Sequence, residues 1–238
     1  MKNIYYAPYM EGTQFGWEHP LFEEEVYIPI ESYLSYYKEY QKHTYWKCPA
    51  WQHYWKSAFV MFSQMDIKIE YNKETGIVTS DTFKYTGIDE GNSPPEVMRP
   101  GPPNPYTGVL VGQIHQYLTL WSESRSKDLW VEIISPPNFI KKGVEIITAE
   151  FPFNRWPRHM VSACRFNNEV TSISRGEPIG ILRFKNFNNS NDSFSLERKD
   201  APDKLRVKSH NLARIKDFLP GKSWDIIKES KCPMKRFW

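Results

Sequence analysis

Cysteine is scarce in this chain of 238 residues: Cys48, Cys164 and Cys232 lie far apart and are odd in number. That pattern does not suggest a disulfide framework and suits a reducing compartment. No segment holds the roughly 18 apolar residues needed to cross a bilayer, and MKNIYYAPYM lacks the apolar stretch of a secretory signal. These features lead us to expect a soluble chain, intracellular where it is made. The two NxS matches in NFNNSNDS then read as surface loop.

The usual catalytic signatures are missing too. None of the six histidines (His19, His43, His53, His115, His159, His210) is followed two residues later by Asp or Glu, so the HxD pair of many iron oxygenases is absent. HExxH, CxxC, GxSxG and a glycine-rich dinucleotide fingerprint are also absent. GKS at 221–223 resembles the end of a phosphate-binding loop, but Lys216 stands where that motif requires glycine. In HTYWKCPAWQH, Cys48 lies five residues from both His43 and His53. Three candidate ligands fall short of the four that structural zinc usually takes, and a packed aromatic segment explains the stretch better. No cofactor is expected. The net charge of +3 is too small to imply nucleic acid as a partner.

Aromatic side chains are abundant. They make up 16% of the chain, as nine Trp, fourteen Tyr and fourteen Phe, and supply either a core of large flat groups or sticky surfaces. Eighteen prolines argue for many rigid loops and against long helices. After Pro29, ESYLSYYKEYQKH has helical spacing, with Tyr33, Tyr37 and Tyr40 on one stripe. Trp51 and Trp55 share a face of a second helical stretch.

From Ala58 the period changes to that of strands. AFVMFSQMDIKIEY reads as one strand, NKETG as a turn ending at Gly76, and IVTSDTFKY as the returning arm of a hairpin. Residues 93–106, with six prolines, read as an irregular arm, flap or spacer. VLVGQIHQYLTLW, LWVEIIS, GVEIITAEF, HMVSACRF and PIGILRF follow as strands separated by turn signals.

The expected fold is therefore mainly β, an antiparallel sandwich or barrel-like core with a few peripheral helices: an N-terminal aromatic one and a C-terminal basic one. The expected organisation is an acidic, aromatic segment (1–57) packed on a β-rich core domain (58–187), followed by a basic, partly helical extension (188–238). In the tail from Leu196 to Trp238, twelve Lys/Arg face six Asp/Glu, whereas the first forty-five residues are acidic. Such ends could pair within one chain or between copies, or simply be solvated.

FPFNRWPRHM, between two expected strands, concentrates the candidate ligand-binding residues Arg155, Trp156, Arg158 and His159. A guanidinium there could stack on Trp156 or grip a carboxylate or phosphate in bidentate fashion. It could equally brace the turn or meet another subunit.

LWVEIISPPNF, GVEIITAEFPFNRWPRHMVSACRF and ISRGEPIGILRF, led by KCPAWQHYWKSAFVMFSQMDIKI, resemble a family of uncharacterised proteins from tailed bacteriophages of marine and cyanobacterial hosts. The resemblance spans roughly residues 43–187. It implies a phage setting (host cytoplasm or virion) and no particular chemistry. SRGEPIGILRF alone is also similar to the last core strand of the dUTPase and dCTP deaminase family, which would imply a trimeric β-barrel. The phosphate-binding Arg-Ser and nucleoside loop of that family are not found in order here; Arg125 in SESRSKD is the nearest candidate.

The expectation that follows is a phage-encoded interaction or assembly protein whose partner is protein, either itself or a phage or host component. The alternatives are an enzyme binding a nucleotide or other small anion, and a modulator of a host protein.

Overall fold

The computed structural model describes residues 2–8, 17, 22, 25–36, 47–71, 78–80, 98–100, 110–123, 129–135, 143–151, 159–166, 170–189 and 191–202. They form fourteen strands and two short helices, the mainly β architecture that the alternating patterns predict.

Two sheets face each other. The first runs β14 (Phe194–Arg198), β1 (Lys2–Pro8), β7 (Leu110–Trp121), β11 (His159–Phe166), β9 (Val144–Ile146), with β6 (Met98–Pro100) also on β7. β7 is long enough to serve both β1, through residues 118–121, and β6, through residues 112–114. The second sheet runs β10 (Ala149–Phe151), β8 (Leu129–Ile134), β13 (Pro178–Asn186), β3 (Ala58–Phe62), β2 (Tyr27–Pro29). A third, small sheet joins β12 (Val170–Ile173), β4 (Ile67–Tyr71) and β5 (Val78–Ser80). No sheet closes into a barrel among the described residues, and every pairing is antiparallel except β1 with β14.

Period-2 alternation accounts for two layers of core. Leu129, Val131 and Ile133 of β8 point between the sheets with Phe59, Met61, Leu182 and Phe184. Ala58, Val60, Phe62 and Ile181 point the other way, beneath the helices α1 (Ile30–Tyr36) and α2 (Pro49–Trp55). Both faces of β3 are therefore covered, which explains why AFVMF is apolar throughout.

The structure corrects three readings of the strands. AFVMFSQMDIKIEY is two strands in two sheets, because Ser63–Asp66 spend their polar groups on a junction. Ser63 Oγ donates to the Met65 carbonyl (2.7 Å), and Asp66 Oδ1 accepts from the Arg175 amide (2.8 Å). The Gly176 amide donates to the Ser63 carbonyl (2.8 Å). Gly176 itself takes φ 72° in the turn closed by Glu177 N–H on the Ser174 carbonyl, a conformation that favours glycine. The hairpin itself exists as β4–β5, with Tyr71 opposite Val78. GVEIITAEF likewise divides, β9 joining the first sheet and β10 the second. Finally, the proline-rich arm contains a short strand, β6, in the one interval where Met98 and Arg99 keep backbone donors.

The segments before residue 58 and after residue 187 each contribute a strand, β1 and β14, to the first sheet. Tyr37, Tyr40, Gly76 and the expected basic helix after Pro202 lie outside the described residues.

Candidate functional site, an aromatic helix between two clefts

α2 begins at an extended Cys48 (φ −68°, ψ 124°), and Pro49 occupies the first turn, where a missing N–H costs nothing. The Gln52 amide closes that turn on the Cys48 carbonyl (3.1 Å). One turn of spacing stacks Trp51 on Trp55, with ring centroids 5.7 Å apart. Trp55 is driven into the core layer under the helix, while Tyr54 stays 41% exposed on the flank.

Beneath Tyr54 lies a charged row on the outer face of the second sheet. The Arg183 guanidinium sits 3.6 Å from the Tyr54 ring centroid and donates through Nε to Glu132 Oε2 (2.7 Å), its cross-strand partner. Lys185 reaches both Glu132 (3.3 Å) and Glu150 (3.2 Å). Arg183 and Glu132 side chains are only 13% and 12% exposed, so this pair is shielded from water in a way that surface pairs are not.

Two clefts flank α2, with Ala50 and Tyr54 in the walls of both. One, of about 520 Å³, is lined by Trp51, Trp55, Ile134, Ser135 and Thr148. The other, of about 400 Å³, lies between the helix and the β13–β14 turn. Its walls include His53, Lys56, Ser57, Arg183, Asn186, Phe187, Asn189 and Asp192. The polar rim is held by its own bonds. Asn189 Nδ2 donates to Asp192 Oδ1 (2.9 Å), Asn186 Nδ2 donates to Asp192 Oδ2, and Lys56 Nζ donates to the Asn191 carbonyl (3.4 Å). Hydrogen bonds from Lys2 and Asn186 hold the Asp192 carboxyl below its usual range.

Of the residues singled out in the sequence, His53 is exposed and borders the smaller cleft, and Cys48 is exposed at the helix start. No three His, Cys, Asp or Glu side chains converge as a metal site among the described residues. His159 opens β11 opposite Thr119. Arg125, Arg155, Trp156, Arg158 and His43 lie outside the described residues. Cys164 is enclosed between the sheets, where burial pushes its thiol up to about 12, far from the range of a reactive thiolate.

The Tyr54–Arg183–Glu132 stack was not foreseen. The only signal for it was the alternation of Arg183 and Lys185 along LRFKN, which put two cations on one face of a strand. No family model matches this chain, and no characterised protein or solved structure matches it.

Proposed function

We propose that the protein is an interaction and assembly component, in the phage setting that the sequence resemblance suggests. The observation that carries this reading is the corner between β9 and β10. There the strands that end two sheets among the described residues meet through Ile147 and Thr148, and Ile147 is 40% exposed. Ser135 Oγ already pairs with the Ile146 amide (2.9 Å) and carbonyl (3.3 Å), so the exposed isoleucine is what this corner offers another chain, with the outer edge of β10 beside it. Among the described residues, Cys164 is sealed between the sheets and His53 stands in solvent on α2, so these two do not form a reactive pair.

Native mass spectrometry and light scattering of the full chain test this. A discrete oligomer that shifts toward monomer in Ile147→Lys, with the melting temperature preserved, supports assembly through the corner. A monomer across about 1–100 µM would refute self-assembly. The rival anion-binding enzyme draws on Arg125, Arg155, Arg158 and His159, and no described side chain adds to it.

A further inference from the structure

The cleft between α2 and the β13–β14 turn is built for a ligand that neither the assembly reading nor the anion-binding alternative calls for. Its mouth carries exposed aromatic side chains. Tyr54 is 41% exposed and Phe187 is 61% exposed, the latter held edge-on against Trp130 at 5.2 Å. Among the described residues these are the two exposed large aromatic rings, and both stand at the rim of one concave site.

The charges around the cleft are already used. Glu132 and Glu150 answer Arg183 and Lys185, and Lys2 answers Asp192. Little uncompensated charge remains to draw a polyanion, since Lys56 is the one lining cation that pairs with a carbonyl and not a carboxylate. What remains are hydrogen-bonding groups with fixed directions. The Asn186, Asn189 and Asp192 side chains are locked to one another and to the Asn188 and Asn191 amides, so their second amide hydrogens and lone pairs keep a fixed direction, and a ligand would pay little ordering entropy to meet them.

We propose that this cleft binds a neutral saccharide. A pyranose ring offers a face of C–H groups to an aromatic ring and a rim of hydroxyls that both donate and accept. Tyr54 and Phe187 match the first; the Asn186–Asp192–Asn189 cluster matches the second. A volume of about 400 Å³ suits the end of a short oligosaccharide.

The test is titration of the full-length protein with neutral gluco-, manno- and galacto-configured hexasaccharides, followed by calorimetry and tryptophan fluorescence. A sulfated hexasaccharide and inorganic phosphate serve as charged probes. Saturable binding of at least one neutral hexasaccharide is expected, about tenfold weaker in Tyr54→Ala and in Phe187→Ala. Phe187 is the safer variant, since Tyr54 also covers Arg183 and its loss could disturb folding. No saturation by any neutral hexasaccharide up to about 10 mM would overturn the proposal. So would binding of the charged probes alone, or neutral binding that both aromatic variants leave unchanged. Oligomer size measured on the same samples separates this from the assembly reading, which rests on Ile147 and the sheet edges and survives a negative titration.

Discussion

Gly180 offers the sharpest test of how the two sheets pack. It lies in β13 opposite Met61 of β3, and Ile146 of β9 in the facing sheet leans over it. A Cβ placed there would stand 2.6 Å from Met61 Cε, 3.3 Å from Ile146 Cγ1 and 3.5 Å from the Ile134 carbonyl oxygen. The first distance is a clash, so the Met61 methyl must swing away. Met61 is 0% exposed and packed within the inter-sheet core, so the space it can swing into is limited. Overpacking of this kind costs about 1–3 kcal/mol. Against it, alanine restricts the unfolded chain and returns about 0.4–1 kcal/mol.

Gly180→Ala should therefore lose about 1 kcal/mol net, since a flexible thioether yields more easily than backbone. For a chain of this size that lowers the melting temperature by about 2–4 °C. Urea titration followed by tryptophan fluorescence, with Met61→Val as a second background, isolates the cause. Valine lacks the clashing methyl, so most of the alanine penalty should vanish there, giving a coupling of about 0.5 kcal/mol or more. An unchanged penalty in the Met61→Val background would refute the idea that Gly180 exists to admit Met61.

Three further outcomes are expected. Glu132→Gln should cost about 2 kcal/mol or more by chemical denaturation, because it strips the carboxylate from the shielded Arg183; Lys68→Ala, in a half-exposed pair with Glu70, should cost under about 0.5 kcal/mol, and equal costs would contradict the difference in shielding. A thiol reagent at neutral pH should label Cys48 rapidly and leave Cys164 untouched until the chain unfolds; mass spectrometry of peptides reads both, and prompt labelling of Cys164 in the native state would refute its enclosure. The Asp192 carboxyl is held below its ordinary value, so its contribution is fully present above the unfolded value near 3.8 and is lost as pH falls through the lower folded value. The stability gap between wild type and Asp192→Asn should hold steady from pH 7 to 5 and shrink below about pH 4; a gap that persists at pH 2 would show that the carboxylate charge is not the source.

The local patterns were largely legible. Leu129–Ile134 alternates because one face meets the inter-sheet core, and Trp51 and Trp55 stack because a helical turn puts them together. Where strands change sheet, the sequence misleads. Ser63–Asp66 and Ile147–Thr148 carry no glycine or proline, so nothing in the local chain marks a break. The reason for each break lies elsewhere in the chain, in partners such as the Arg175 amide and the Ala163 carbonyl, which accepts from the Ile147 amide.

The candidate site divides the same way. Aromatic abundance, the α2 stretch and the paired cations of β13 were present in the sequence, but FPFNRWPRHM drew the attention because it concentrates unusual residues. The cleft instead arises from residues ordinary in isolation, brought together by the β13 pairings and by α2 lying across the sheet. By itself the sequence determined the mainly β class, the helical face shared by Trp51 and Trp55 and the identity of many strands, because periodicity of burial is a local property. Only the tertiary structure decided which strands share a sheet, that β1 and β14 run parallel, and that Tyr54 caps Arg183. Those outcomes depend on long-range pairing, and the interaction energies that select it lie between residues far apart in the chain.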